Sequence, residues 1–146
     1  MKLHQLSLFL ENKPGQLTEP CRLLAHEGIN IRTLALADTE RFGILRMIVS
    51  DWQKAAAVLN QAGYIANATE VVAVEVADHP GGLAEILEVL ENSGVNIEYM
   101  YAFTFGRNDR AVLIFRFDKP DEAITRLQAK GINVVESVEV YNRIEA

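Results

Sequence analysis

Apolar and polar side chains alternate with a period of two in two stretches of the chain, and this pattern predicts a β-strand in each. The stretches lie 66 positions apart, and their apolar members correspond one to one: Leu6, Leu8, Leu10 and Val72, Val74, Val76. In both, the alternation ends shortly before a Pro-Gly pair, at Pro14-Gly15 and Pro80-Gly81. The matching positions indicate an internal repeat that organises the whole chain.

An apolar face with helical spacing follows each of these strands. Its members stand at i, i+4 and i+7 in the first half and are repeated in the second: Leu17, Cys21, Leu24 and Leu83, Leu87, Leu90. Gly28 and Gly94 stand where a glycine commonly ends a helix. The spacing predicts that these side chains, including the Cys21 thiol, are buried against a core.

Each half continues with two further strands and a second helix. In the first half, extended runs flank a short hairpin connection at Thr39–Phe42, and Asp51 is placed to cap a helix that ends at Gly63. In the second half the offset between equivalent positions grows from 66 to 68, and the corresponding helix is expected to begin at Asp118 and to end at Gly131. A hairpin tip lengthened by two residues around Gly106–Arg110 explains this change.

The order strand, helix, strand, strand, helix, strand occurs twice and predicts the α+β class. Each copy is expected to form a ferredoxin-like βαββαβ unit, in which an antiparallel sheet carries both helices on one face. We place the first unit at residues 1–70 and the second at residues 71–146. No linker rich in Pro, Gly or Ser separates them, so Val71–Val76 is expected to close the first unit and open the second.

Composition and charge exclude several classes of function. The chain has 146 residues, 49% of them apolar, which is the balance of a packed globular protein. Lys and Arg total 14 against 20 Asp and Glu, so the formal net charge is -6. Such a chain lacks the basic field that nucleic-acid binding requires, and anionic lipid would repel it. We therefore expect neither nucleic acid nor a membrane as a partner.

Cysteine usage and the N-terminal residues favour a cytoplasmic protein. Cys21 is the single cysteine, so an intrachain disulfide and a zinc site built on several thiolates are excluded. Residues 1–13 have an apolar run broken by polar side chains, and they resemble neither a signal peptide nor a membrane span.

The sequence offers few groups for catalysis. The three histidines, His4, His26 and His79, are not paired with carboxylates at the spacing of a metal site, and no nucleophile motif is present. We therefore predict no catalytic residue, no metal and no cofactor. A small enzyme that uses Asp78 with His79 is the alternative within this class.

The two strand-to-helix turns are the best candidates for binding. Asn12–Gly15 and Asp78–Gly81 each place a polar side chain before a Pro-Gly pair that opens a helix. Proline restricts φ, glycine lets the backbone approach a ligand, and the first helical N–H groups point outward, which suits a carboxylate. Asn12 or Asp78 would then accept a hydrogen bond from an ammonium group. The same residues are also typical of an ordinary turn, and the pattern does not decide between these alternatives.

Asparagine side chains and an aromatic strip are further candidates. Asn30 and Asn96 each follow the first helix of their unit by two residues, either as ligand-binding amides or as turn residues. In the second half, alternate residues are largely aromatic and would pack against another layer or subunit, or line an apolar pocket: Ile97, Tyr99, Tyr101, Phe103, Phe105.

The turn pattern (N/D)-x-P-G-x-L with the helix exit G-(I/V)-N-I, found twice in order, resembles the ACT domain, a small regulatory module of amino-acid metabolism. The resemblance covers nearly the whole chain and is greatest to stand-alone tandem ACT proteins without a catalytic domain. It implies an amino acid bound between two ACT units, with the turn contributed by one unit and the asparagine by its neighbour. The implied binding residues are Asn12, Gly15, Gln16, Leu17, Asn30, Asp78, Gly81, Gly82, Leu83 and Asn96.

The resemblance implies a non-catalytic regulatory protein whose partners are an amino acid or similar effector, a second copy of the chain and an enzyme of amino-acid metabolism. Some family members carry a histidine two residues before the turn, where this chain has Leu10 and Val76. Serine-type recognition is therefore not implied. The alternative is a ligand-free interaction subunit that modulates a partner enzyme, and saturable amino-acid binding would separate the two hypotheses.

Overall fold

The computed structural model describes residues 2–103 and 109–136. The chain divides into a first unit, His4–Thr69, and a second unit, Met1–Leu3 with Glu70–Ala146. The elements in chain order are β1 (Lys2–Glu11), α1 (Thr18–His26), β2 (Ile31–Thr39), β3 (Phe42–Val49), α2 (Trp52–Gln61), β4 (Ala66–Ala77), α3 (Gly82–Leu90), β5 (Ile97–Ala102), β6 (Arg110–Phe117), α4 (Pro120–Ala129) and β7 (Val134–Val135). Strand β4 crosses the boundary between the units.

The sheet of the first unit has the strand order β2-β3-β1-β4. Strand β1 lies antiparallel to β3 with Leu6 opposite Met47 and Leu8 opposite Leu45. These four side chains are fully buried beneath α1 and α2, together with Leu59 of α2. The period-two alternation predicted for this strand is therefore confirmed.

The second unit repeats this arrangement with the strand order β5-β6-β4-β7. Val72 lies opposite Phe115 and Val74 opposite Leu113, and the core of this unit is closed by α3 and α4. Both units thus have the strand order of a ferredoxin-like βαββαβ fold, with helices on one face of an antiparallel sheet. The predicted α+β class is confirmed.

The predicted buried faces of the first helices are wrong at two positions in each unit. Helix α1 buries Pro20 and Leu24, whereas Leu17 is exposed and Cys21 is only half-buried. Helical spacing is shared by two sets of residues, namely 17, 21 and 24 on one face and 20 and 24 on another. Periodicity alone therefore cannot show which face is buried. In the structure, the face that carries Pro20 and Leu24 is the one that packs on the sheet.

Helix α3 also buries a different face from the one that the sequence predicted. Its core residues are Ile86 and Leu90, while Leu83 and Leu87 are 39% and 38% exposed. In the second unit, Leu83 and Leu87 therefore form an exposed apolar stripe on the first helix, where a buried one was predicted.

The start of α2 agrees with the sequence prediction. Asp51 caps α2 as predicted, because its carboxylate accepts a hydrogen bond from the Lys54 N–H at 3.1 Å.

The aromatic strip of the second unit is interrupted by a β-bulge between Ile97 and Tyr99, which turns Ile97 towards the helices and leaves Tyr99 on the opposite face. Phe105 and part of the lengthened hairpin tip lie outside the described residues.

A close backbone contact fixes the start of α3. A Cβ atom on Gly82 would lie 1.9 Å from the carbonyl oxygen of Ala77, at the end of β4. The equivalent residue of the first unit is Gln16, and there the helix begins two positions later, at Thr18. Glycine at position 82 therefore allows the helix to begin against the strand.

We expect Gly82→Ala to destabilise the protein. Alanine is favoured over glycine in a helix by up to about 1 kcal/mol, so without the contact this change would stabilise. The clash is with a backbone carbonyl that cannot rotate away, and overpacking of this kind costs roughly 1–3 kcal/mol. The expected result is a lower midpoint of urea unfolding.

Gln16→Ala is the matched control, since it changes the equivalent position of the first unit. We expect its free energy of unfolding to stay within about 0.5 kcal/mol of the parent value. An unchanged or higher unfolding midpoint for Gly82→Ala would show that α3 can shift away from the Ala77 carbonyl without a loss of stability.

Candidate functional site

The first turn is tied to the hairpin between β2 and β3. The Asn12 main-chain N–H donates to the carbonyl of Arg41 at 2.9 Å, and its Nδ2 donates to the carbonyl of Glu40 at 3.3 Å. The Asn12 side chain thus already has a structural partner. Gly15 follows with φ +84°, a left-handed conformation that favours glycine.

A small cavity of about 80 Å³ adjoins this turn. Three predicted binding residues line it, together with side chains of β2: Asn12, Gln16, Leu17, Leu36, Asp38. Nearby, the Glu11 carboxylate accepts a hydrogen bond from Lys13 Nζ at 2.8 Å, which raises the pKa of the Lys13 ammonium. The cation beside this cavity is therefore already paired.

The second turn leads into a helix, α3, whose start is not capped by a side chain. The Asp78 main-chain N–H donates to the carbonyl of Asp109 at 2.8 Å, and its carboxylate is exposed. Gly81 is left-handed at φ +92°, and no side chain caps α3. The Gly82 N–H donates to the carbonyl of His79, which leaves the next N–H groups of the first turn for a ligand.

His79 is not arranged as a general base with Asp78. Its Nδ1 lies 2.9 Å from the carbonyl oxygen of its neighbour Pro80. A carbonyl oxygen only accepts, so this nitrogen carries the hydrogen in that contact. The ring is oriented by the turn itself and not by the carboxylate.

The two candidate asparagines are held by equivalent contacts. The Asn30 N–H donates to Ser50 Oγ at 3.0 Å, and the Asn96 N–H donates to Asp118 Oδ1 at 2.8 Å. In return, the main-chain N–H groups of Ser50 and Asp118 donate to the asparagine carbonyls. Both asparagine side chains are exposed, so their amides face solvent on a fixed backbone.

Sequence reasoning missed the roles of Ser50 and Asp118. Asp118 was expected to begin the last helix, but α4 begins at Pro120 and Asp118 instead holds Asn96. The signal was available, because both residues directly follow the third strand of their unit and are 68 positions apart.

The turn and the asparagine of one unit lie at opposite ends of that unit. In the first unit, β3 begins at Phe42 beside the hairpin that Asn12 contacts and ends at Val49 beside Asn30. Eight extended residues span roughly 23 Å, at about 3.3 Å per residue. A ligand that touches both a turn and an asparagine must therefore take them from different copies of the fold.

Asn96 lines a groove of about 510 Å³ between α3 and β5. The groove includes Leu87 of the exposed stripe on α3.

Over residues 2–103 and 109–136, no three His, Cys, Asp or Glu side chains are placed to hold a metal ion. In the same part of the chain, no helix is long and apolar enough to cross a membrane.

The fold and its turns define a tandem of ferredoxin-like units, each with a left-handed glycine before its first helix. Residues 1–144 match the family model described as an ACT domain pair, so the chain belongs to this family. Protein BT0572 from Bacteroides thetaiotaomicron is similar at 41% identity and a TM-score of 0.89, over 97% of this chain and 96% of that one.

More distant structures share the fold alone. The ligand-free regulatory subunit of aspartate kinase from Thermus thermophilus is 18% identical with a TM-score of 0.61, over 86% of this chain and 91% of that chain. Aspartate kinase from Synechocystis is 20% identical with a TM-score of 0.59, over 92% of this chain and 27% of that enzyme. No curated protein matches the chain.

We expect Asp118→Ala to destabilise the second unit by about 1 kcal/mol, because the Asn96 N–H loses its acceptor. The measurement is the midpoint of urea unfolding. Asp118→Asn is the control, since its side-chain oxygen can still accept the bond, and we expect it to lose less than half as much stability. Equal losses for the two variants would show that the charge matters and the hydrogen bond does not.

Proposed function

We propose that this protein is a non-catalytic regulator that binds an amino acid or a closely related metabolite at its strand-to-helix turns. One observation carries the proposal: in both units a left-handed glycine precedes a helix that no side chain caps. Such a turn offers main-chain N–H groups to a carboxylate without a competing side chain. The polar residue that opens each turn is placed for the ammonium group.

The second turn suits an amino acid better than the first. Asp78 carries a full negative charge and its carboxylate is exposed, which favours an ammonium group. Asn12 is neutral, and its Nδ2 donates to the carbonyl of Glu40, so only its uncharged Oδ1 is left to accept a hydrogen bond from an ammonium group. The proposed binding residues of the main site are therefore Asp78, Gly81, Gly82 and Leu83, and the first turn, with Gly15, Gln16 and Leu17, is a weaker site.

The proposed site is completed by an asparagine from a second copy of the chain. Asn96 and Asn30 have exposed amides on fixed backbones, but neither reaches the turn of its own unit. The exposed Leu87 lines the same groove as Asn96, and Leu83 continues this exposed apolar stripe along α3, which gives a surface on which a second copy can pack. We therefore propose a homodimer.

Binding at such a site would regulate a partner enzyme of amino-acid metabolism in the cytoplasm. A ligand that bridges two copies stabilises the assembled state relative to the open one, and this difference in affinity shifts the population. The regulatory subunit of aspartate kinase has the same fold, which supports a role that acts on another protein. His79 contacts the carbonyl of Pro80, and this contact gives no support to a catalytic pair of Asp78 with His79.

The second candidate is a ligand-free interaction subunit of a separate enzyme. The number of large apolar side chains at the surface favours it, because such side chains suit a protein interface: Phe9, Leu17, Leu34, Leu36, Phe42, Ile65, Leu83, Leu87, Met100. The two hypotheses differ in whether amino acids bind saturably.

We expect one or a few of the common amino acids to raise the thermal unfolding midpoint of the purified protein. A ligand present at 100 times its dissociation constant contributes about 2.7 kcal/mol if it binds only the folded state. For a chain of this size the midpoint would rise by several degrees. The panel is tested at millimolar concentration.

Asp78→Ala should abolish the shift, whereas Asn12→Ala, the equivalent change in the first unit, should retain most of it. Loss of the shift in Asn12→Ala alone would move the main site to the first turn. A flat response across the panel would contradict the sensor hypothesis and favour the ligand-free subunit.

We expect the protein to sediment as a dimer at micromolar concentration, and Leu87→Glu to shift it towards monomer. The substitution places a charge in the apolar stripe beside Asn96, where burial in an interface would be costly. Ile65→Glu is the control, because it changes an exposed apolar side chain on another surface. A Leu87→Glu protein that stays dimeric would place the interface elsewhere.

A further inference from the structure

We infer that the homodimer pairs unlike units, with α1 of one copy packed against α3 of the other. This inference rests on the homodimer proposed above, and it adds which surface of the second copy covers the exposed leucines of α3. Two copies related by a twofold axis form such a contact twice, which closes the assembly at a dimer.

The second unit has an exposed apolar face beside α3. Leu83 and Leu87 of this helix are 39% and 38% exposed, and Met100 of β5 is 36% exposed. Met100 lies opposite Phe115 of β6, whose side chain belongs to the core beneath the helices. Residues directly opposite each other in an antiparallel pair point to the same side of the sheet, so Met100 is on the side that carries α3. We call Leu83, Leu87 and Met100 the second-unit face.

The first unit has a corresponding apolar face beside α1. Leu17, just before this helix, is 37% exposed and lines the same cavity as Leu36 of β2, which is 56% exposed. Leu34 of β2 is 42% exposed and lies opposite Met47, a residue of the core beneath α1 and α2. Leu34 therefore also points to the side of the sheet that carries the helices. We call Leu17, Leu34 and Leu36 the first-unit face.

The two faces occupy equivalent positions of the repeat. Leu17 and Leu34 stand 66 positions before Leu83 and Met100. Both faces stay exposed within the chain, and exposed apolar patches of this kind mark interaction surfaces. Because the faces are equivalent, their apolar side chains do not decide whether the second-unit face packs on its own copy or on the first-unit face. The charged side chains of the two helices make this difference.

Opposite charges stand at one equivalent position of the two helices. Arg22 of α1 lies 66 positions before Glu88 of α3, and both side chains are exposed. Among the described residues that line the groove between α3 and β5, the charged ones are Glu88 and Glu91. Lys119 Nζ is near Gly94, beyond the end of α3. The helix beside the second-unit face is therefore acidic where α1 carries a cation.

These charges favour the pairing of unlike helices. Packing α3 against α3 would bring the carboxylates of Glu88 and Glu91 from two copies together, and packing α1 against α1 would do the same with two Arg22 guanidinium groups. Packing α1 against α3 instead brings Arg22 to the two carboxylates. The Glu19 carboxylate of α1 accepts a hydrogen bond from the Tyr64 hydroxyl of its own unit. Complementary charge across an interface suppresses the like-charged pairings and so selects the partner surface.

Thiol crosslinking of the full-length protein tests which helices meet. Cys21 is the single cysteine, is half-buried on α1 and stands at the position equivalent to Leu87 of α3. In Leu87→Cys, a short bismaleimide should produce a covalent dimer, and mass spectrometry of its peptides should show position 21 linked to position 87. The parent protein, which tests α1 against α1, should give no covalent dimer. Leu87→Cys combined with Cys21→Ala, which tests α3 against α3, should give none either.

Charge reversal tests the same contact without changing an apolar side chain. We expect Arg22→Glu and Glu88→Arg each to raise the dissociation constant of the dimer, measured by sedimentation, by about fivefold or more. The combination of both substitutions restores opposite charges and should return the constant to within about twofold of the parent value. Lys130→Glu is the matched control, because it changes the net charge as Arg22→Glu does but lies at the end of α4.

The outcomes separate this inference from the homodimer on which it rests. A parent protein that sediments as a monomer would contradict the homodimer itself. A dimeric protein that crosslinks only between two copies of position 21, or only between two copies of position 87, would overturn the pairing of unlike units and leave the homodimer standing. A link between positions 21 and 87 at the mass of one chain would also overturn it, as would charge reversals that leave the dissociation constant unchanged.

Discussion

The contact between the α3 backbone and the end of β4 controls the geometry on which the proposed site at the second turn depends. Gly82 lies against the Ala77 carbonyl so closely that no side chain fits between them. The helix can therefore start directly after the left-handed Gly81, and because the Gly82 N–H is bound to the His79 carbonyl, the next N–H groups of the first turn are the ones left for a ligand. Gly82 and Ala77 also line a cavity of about 240 Å³, together with Glu75, Glu85 and Arg110.

The two units show how one scaffold carries different chemistry. Equivalent contacts hold the asparagines in both, through a hydroxyl at Ser50 and a carboxylate at Asp118. The two turns differ. In the first unit the Asn12 side chain donates to the carbonyl of Glu40 in the hairpin, whereas in the second unit the Asp78 carboxylate is exposed. The backbone arrangement is conserved within the chain because the cores are equivalent, while exposed positions are not constrained by packing.

Side-chain orientation was the weak point of sequence reasoning. The strands were predicted correctly because a period of two leaves only two faces, and burial selects one of them, as at Leu6 and Val72. On the helices, apolar residues fill more than one face, and Leu17 and Leu83 proved to be exposed. The β-bulge after Ile97 likewise reverses the face of the aromatic strip, and nothing in the residue pattern marks it. The exposed leucines of α3, Leu83 and Leu87, form the surface on which the proposed dimer is built.

The sequence by itself determined the repeat, the α+β class, the order of the elements and the positions of the two turns. These follow from local periodicity and from residues with restricted backbone conformations, which act within a few positions along the chain. Tertiary structure alone decided that the turn and the asparagine of one unit lie at opposite ends, and that Glu75, Arg110 and Asn133 meet at one cavity. These three residues come from a strand, a neighbouring strand and a loop far apart in sequence. Their meeting depends on the register of β4 with β6 and β7, which no local pattern encodes.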